Sequence, residues 1–211
     1  MVKPFTASKV PSRVGSLSGR MNMNETIYNP ITKEEVTFIS TAQQSGGKET
    51  VLEILLGPKG KGPPLHYHKA ITETFEVLEG ELMLRIGRET VRLSAGQQAT
   101  VNVNQRHTFW SEIDQPMRFR GRIEPGDVDI ENCFRISFGL ARSGLVNNKG
   151  IPKKLSHLAI LSSLSKSNLA GMLSLIDWVF QSLARTNKYR TIRRSLIEEY
   201  CLPRSETRAD V

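Results

Sequence analysis

Three of the chain's four histidines, His66, His68 and His107, fall within 42 residues, and Glu73 lies between the second and third. Alternate residues of a strand point to one face, so His66 and His68 project together. Two imidazoles placed this way can take neighbouring positions on a single ion. Glu73 opens the apolar run Phe75-Glu76-Val77-Leu78, which ends at Glu79-Gly80-Glu81. A short turn before it would bring its carboxylate, on a second strand, beside the imidazoles. His107 comes from a strand more than thirty residues later, which is how a closed β structure completes a site from different strands. Three neutral imidazoles and one carboxylate suit a single divalent transition metal ion (Fe, Mn, Zn, Ni, Co or Cu) and not Ca or Mg. Four protein ligands on an ion that accepts five or six leave positions for water, substrate or oxygen. Such a site polarises a bound oxygen or lowers the pKa of bound water. The chain has no Gly-x-Ser-x-Gly elbow, phosphate loop or dinucleotide fingerprint, so this constellation is the one candidate for chemistry.

The motifs around these residues carry a resemblance. Residues 60 to 80 read Gly60-x5-His66-x-His68-x4-Glu73-x6-Gly80, and residues 96 to 111 place Gly96 and His107 at the spacing of a second motif. Together they resemble the cupin superfamily, over roughly residues 25 to 140. The second motif departs from the family pattern at Asn102 for proline, Asn104 for glycine and Ser111 for asparagine. Asn104 is a mild departure, because asparagine visits left-handed backbone more readily than most residues. The resemblance implies a double-stranded β-helix, or jelly-roll, barrel with His66, His68, Glu73 and His107 as metal ligands. It also brings oxygenases to mind, in which a carboxylate such as Glu73 leaves the metal to act as a catalytic base. An isomerase or lyase that polarises a carbonyl, and a non-catalytic module that binds or senses a small molecule, are the other readings.

The elements that must position these residues are legible as short runs between turn residues. Strands are expected at 35–39, 49–56, 75–78, 82–86, 90–93, 99–103, 107–110 and 117–123, with Cys133 to Leu140 finishing the sheet. Many short strands at such intervals argue an all-β sandwich or barrel. Strand parity nominates Phe75, Val77 and Phe109 as the walls of a substrate pocket. Met117, Phe119 and Ile123 read as buried, and the alternating Arg118, Arg120 and Arg122 as a solvated sheet face.

After Leu140 the character changes. Residues 143–154 read as a linker, and 155–211 as an α-helical C-terminal tail. Leu155, Leu158, Leu161 and Leu164 suggest one helix, the stretch from Leu169 to Leu183 an amphipathic second, and Thr191 to Tyr200 a third. The tail's apolar face must be buried on its own barrel, on a partner subunit or on a membrane surface, with packing on protein favoured. A homodimer is the expected assembly. His157, on the first tail helix, reads as a surface residue.

Composition bounds the rest. At 211 residues with 24% charged and 38% apolar residues, the chain is globular, a barrel of ordinary size with an appendage. No apolar run approaches the ~20 residues needed to cross a bilayer. Residues 1–24 read as a flexible arm, basic and rich in serine. Two distant cysteines, Cys133 and Cys201, make no disulfide framework, so a reducing, cytoplasmic setting is the default. Cys133 reads as a small hydrophobe in a core. The net charge of +8 is concentrated in residues 151–211, which hold ten Lys and Arg against five acids. With no nucleic-acid motif and no interleaved aromatics, that surplus reads as a solvated helix face rather than a nucleic-acid surface.

Overall fold

The computed structural model describes residues 8–9, 24–170 and 173–202. Apart from Ser8–Lys9 and Asn24, the arm expected over 1–24 lies outside them, as do the side chains of 173 and 176 on the expected apolar stripe and those of 174 and 177 on the opposite face.

Twelve strands and four helices make up the described chain: β1 (Ser8–Lys9), β2 (Thr26–Asn29), β3 (Glu34–Ser40), β4 (Thr50–Leu56), β5 (His66–His68), β6 (Thr72–Glu79), β7 (Glu81–Ile86), β8 (Glu89–Ser94), β9 (Gln97–Val101), β10 (His107–Trp110), β11 (Met117–Glu124), α1 (Val128–Arg142), α2 (Leu155–Leu164), β12 (Ser167–Leu169), α3 (Leu173–Ala184) and α4 (Asn187–Tyr200). The strands form two antiparallel sheets. One has the order β1-β9-β6-β11-β4-β3-β2, the other β12-β5-β10-β7-β8. From β4 to β7 and again from β8 to β12, consecutive strands jump between sheets, as in a jelly roll.

The alternation of the sequence sets which face is buried. Leu82 and Leu84 from β7 and Leu93 from β8 meet Leu56, Phe75, Val77, Ala99, Val101, Met117 and Phe119 from the larger sheet in one core. Met117, Phe119 and Ile123 are buried as their parity requires. The intervening arginines point to the opposite face, where Arg120 meets Glu53 at 2.6 Å and Glu76 at 3.3 Å, and Arg122 pairs with Glu49.

The run from Cys133 to Leu140 does not finish the sheet; it lies within α1. The Asp127 carboxylate caps that helix, accepting from the backbone N–H of Asp129 (2.8 Å) and Ile130 (3.1 Å). Asp129 and Glu131 follow in its first turn and Arg142 ends its last, the polarity a helix dipole favours. The strand reading failed because α1 buries two faces. Ile130, Phe134 and Phe138 cover the part of the larger sheet that the smaller sheet leaves open, against Val36, Phe38, Leu52 and Ile123. Cys133, Ile136, Leu140 and Ala141 pack on α2 and α4. With both faces apolar, Ile136, Phe138 and Leu140 look like alternation.

Tail helices were expected and are present, but the tail also contains β12, which the sequence reading had placed at a helix start. His157 is buried, not on the surface. Cys133 is half-buried among apolar neighbours, and burial pushes its thiol up to about 12. Gly139 on α1 has no room for a side chain, since a Cβ there would lie 2.3 Å from the Tyr200 ring of α4. No helix among the described residues is long and apolar enough to cross a membrane.

Candidate metal centre

Each of the four candidate ligands is held by backbone it shares with the core. His66 and His68 sit at the two ends of β5, and both are buried. His107 begins β10 and is the register partner of His66 across the strand pair. Glu73 belongs to the other sheet, on β6, between Val101 of β9 and Ile123 of β11. The site therefore closes across the sandwich, and the turn at 69–71 is what carries the chain from one sheet to the other.

Asn104 helps to shape the approach to His107. It adopts φ 63°, the left-handed conformation anticipated for it, and its backbone N–H donates to the His68 carbonyl at 2.7 Å. The turn is fixed from within by the Asn102 N–H, which donates to the Gln105 side chain at 2.7 Å.

The imidazoles converge. Ring centroids are 4.2 Å apart for His66 and His107, 5.0 Å for His66 and His68, and 5.6 Å for His68 and His107. One ligand atom from each of the three histidines and from Glu73 lies within 4.8 Å of all the others. Donors about 2.1 Å from a shared ion are at most about 4.2 Å apart, so only small side-chain movements separate this arrangement from coordination.

Hydrogen bonding points the right nitrogens inward. The Nδ1 atoms of His66, His68 and His107 lie 2.8, 3.0 and 3.1 Å from the carbonyl oxygens of Pro64, Lys166 and Gln105. A carbonyl can only accept, so each Nδ1 carries the proton and donates it. For a neutral ring this leaves the Nε2 lone pair facing the cluster. The Nε2 atoms of His68 and His107 and Oε2 of Glu73 are buried without a well-directed hydrogen bond. Yet Oε2 lies 2.7 Å from the His107 nitrogen and 3.4 Å from that of His68. Lone pairs cannot face each other at that distance without a cation between them, either a proton or a metal ion. The donor set and its orphaned atoms fit a divalent transition metal.

The electrostatics agree. Burial pushes His66 down to about 4, assisted by the neighbouring His107. Burial would also lower His68 and raise Glu73, but their mutual attraction outweighs it. His68 ends above its ordinary value, and Glu73, next to both His107 and His68, ends far below the usual carboxylate range. Glu73 is thus an anion awaiting a cation.

Of the expected pocket walls, Phe75 lies with its ring 6.2 Å from that of His107, and Phe109 lies 5.5 Å from Phe75. Val77 is sealed in the core with no exposed surface. The residue that sequence reasoning missed is Lys166, which acts through its backbone carbonyl. Carbonyls carry no sequence signature, and Lys166 is 98 positions from the histidine it touches.

A two-sheet jelly roll that gathers three imidazoles and a carboxylate from both sheets defines a barrel able to hold a metal ion. Residues 52–128 match the family model of the cupin domain, which bears out the cupin resemblance over that part of the chain. Among solved structures, an RmlC-like cupin from Shewanella frigidimarina is 15% identical, with 55% of this chain and 96% of that chain covered at a TM-score of 0.44. A sugar phosphate isomerase of the cupin superfamily from Silicibacter pomeroyi is 19% identical, covering 49% and 72% of the two chains at 0.43. A protein from Thermotoga maritima described as a predicted oxalate decarboxylase is 18% identical, covering 52% and 99% at 0.44. The chain matches no curated protein.

Proposed function

We propose that the protein is a mononuclear metal enzyme of oxygenase type, acting on a small organic substrate inside the barrel. The observation that carries the metal reading is the triple lock on the imidazoles: three Nδ1 protons donated to carbonyls, with the opposite nitrogens turned toward one carboxylate. A histidine merely filling a core has no need of such an arrangement. A divalent transition metal held by His66, His68, Glu73 and His107 supplies Lewis acidity and, where the ion is redox-active, chemistry with oxygen.

The protein's own residues do the rest. The carbonyls of Pro64, Lys166 and Gln105 hold the rings in one tautomer. The aromatic walls at Phe75 and Phe109 keep water from one side of the site and offer contact to an apolar or aromatic group. Glu73 is held ionised, which makes it a strong ligand and a weak base, so a base role requires it first to leave the cation it faces.

Elemental analysis of the untagged protein, purified without chelator, is the test. Near-stoichiometric iron, manganese, copper, nickel or cobalt supports the oxygenase reading, which oxygen uptake with aromatic and diketone substrates then checks. Stoichiometric zinc moves the reading to isomerase, lyase or structural chemistry. No metal, with none taken up on titration, removes the enzyme reading and leaves a small-molecule binding module.

A further inference from the structure

The strand that carries two of the ligands is short, and most of its pairing comes from the tail. On one side, β5 has a single register pair with β10, His66 with His107. On the other, all three of its residues pair with β12: His66 with Leu169, Tyr67 with Asn168 and His68 with Ser167. The pairing continues one step further, since the Ala170 N–H donates to the Leu65 carbonyl at 3.1 Å. A three-residue strand contributes little stability of its own. Its position is therefore set by its neighbours, and β12 pairs with more of it than β10 does.

The tail also reaches a ligand directly. His66 and His107 donate Nδ1–H to carbonyls two residues earlier in their own segments. His68 instead donates to the Lys166 carbonyl, just ahead of β12. Lys166 adopts φ 53°, a left-handed conformation that aims this carbonyl at the ring. Its ammonium lies 2.7 Å from Asp129 on α1, which ties the turn to the helix that covers the larger sheet.

We infer that the segment from Lys166 to Ala170 is a latch for the metal centre, in which Lys166 is a positioning residue that orients His68 through its carbonyl, so that metal binding and docking of the tail strand stabilise each other. The inference rests on the metal reading above. Coupling between two binding events is reciprocal. Whatever factor of affinity is lost when the latch opens, the bound metal must suppress opening by the same factor.

The experiment titrates the full chain with Co(II) against a competing chelator, following the visible absorption of the ion. Two variants are compared with the natural sequence. Lys166→Pro forbids the left-handed conformation and re-aims the carbonyl. Lys166→Gly keeps that conformation accessible and the carbonyl in place while removing the side chain with its ammonium. Lys166→Pro is expected to weaken Co(II) binding roughly 10–100-fold, the usual cost of losing an outer hydrogen-bond partner, and Lys166→Gly by no more than about threefold on the same scale. In the unmutated protein, saturating Co(II) should slow amide exchange at 167–170 by the factor lost in Lys166→Pro. A folded Lys166→Pro variant that binds Co(II) as the natural sequence does overturns the latch while leaving the metal centre standing. So does exchange at 167–170 that Co(II) leaves unchanged, and this second readout decides alone if Lys166→Pro does not fold. Failure of the unmutated protein to take up Co(II) overturns the metal reading and the latch together.

Discussion

Glu73 and His107 lie in different sheets, and their facing atoms, Oε2 and Nε2, are 2.7 Å apart. The contact joins the two layers at a point where both atoms lack a well-directed hydrogen bond. The Nδ1 of His107 is occupied by the Gln105 carbonyl, so only a cation can make the contact favourable. Glu73→Gln removes the anion while keeping size and shape. It should lower metal affinity by at least about a hundredfold, beyond the upper end of what an outer partner contributes. His68→Ala should likewise strip the metal and leave the far-UV spectrum of the β fold in place. Metal content per folded molecule, by elemental analysis after gel filtration, is the readout for both variants.

A metal that bridges the sheets should also hold them together. Binding only to the folded state stabilises by about 4 kcal/mol at a thousandfold excess over Kd. For a chain of this size each kcal/mol raises Tm by roughly 2–4 °C. Loading the metal-free protein should therefore raise Tm by roughly 8–16 °C, and chelator should reverse it. A thermal scan with and without the ion checks this, and an unchanged midpoint would show that the ion does not bind the folded protein in preference to the unfolded chain.

How much of this was legible in the sequence differs from element to element. The histidine strand, Glu73 and His107 could be read because ligands have side-chain chemistry and strands have a period of two. The expected strand from His107 to Trp110 is β10 to the residue. Parity likewise placed Met117, Phe119 and Ile123 in the core and the intervening arginines outside. The segment from Cys133 to Leu140 was misread because a helix buried on two faces loses the polar face that reveals its period. Three consecutive signals did favour a helix there: the capping Asp127, the acids at 129 and 131, and Arg142. The buried position of His157 follows from its place between packed helices, and no local pattern announces it. β12 and the Lys166 carbonyl were invisible for a simpler reason: three residues are too few to show a period, and a backbone acceptor looks the same in every residue.

The metal-free protein should lose stability in acid, in a window set by His66. Its folded value is pushed down to about 4, chiefly by burial, from an ordinary 6.5. The unfolded chain therefore binds the extra proton first, so the contribution of His66 is fully present above 6.5 and lost as pH falls through 4. The difference amounts to at most roughly 3 kcal/mol. His68 is shifted the opposite way, because Glu73 outweighs its burial. Its contribution is present below 6.5 and lost as pH rises through its raised folded value. His66→Gln should flatten the acid limb between pH 6.5 and 4, whereas His68→Gln should act on the limb above 6.5. Urea midpoints at a series of pH values separate the two.

Gly62 should prove intolerant of any side chain. A Cβ at this position would lie 2.5 Å from the Phe109 ring, and the Gly62 N–H donates to the Phe109 carbonyl at 3.0 Å, so the backbone cannot retreat. Phe109 in turn rests on Phe75 and on Phe119, with ring centroids 5.5 and 5.2 Å away. Gly62→Ala must push the ring toward the imidazoles or into the core. Overpacking of this kind costs roughly 1–3 kcal/mol. A drop in the urea midpoint, with metal content retained, is the expected pairing. A variant as stable as the natural protein would mean that Phe109 is free to move, and would weaken its claim to be a fixed wall of the pocket.

Glu131 offers a test of the fold that leaves the metal ligands untouched. It is buried on α1, and its Oε1 accepts from the Ala42 N–H at 2.6 Å and the Thr50 hydroxyl at 2.8 Å. Its other oxygen lies 3.6 Å from Arg135, which also grips Glu25 and stacks 4.1 Å from the centre of the Phe38 ring. One carboxylate thus ties α1 to the turn after β3, to the start of β4 and, through Arg135, to the segment leading into β2. Glu131→Ala strands two donors and a guanidinium in a buried setting, where breaking such a pair costs about 3–5 kcal/mol. Glu131→Gln keeps one acceptor and should lose less, on the order of 1–3 kcal/mol. Because α1 reaches the turn at Lys166 through Asp129 and not through Glu131, the folded fraction of either variant should still bind metal stoichiometrically. Unfolding midpoints measured alongside metal content would separate that outcome from its alternative, a metal site that fails in step with the helix. The second result would make α1 part of the site's support rather than only a cover for the sheet.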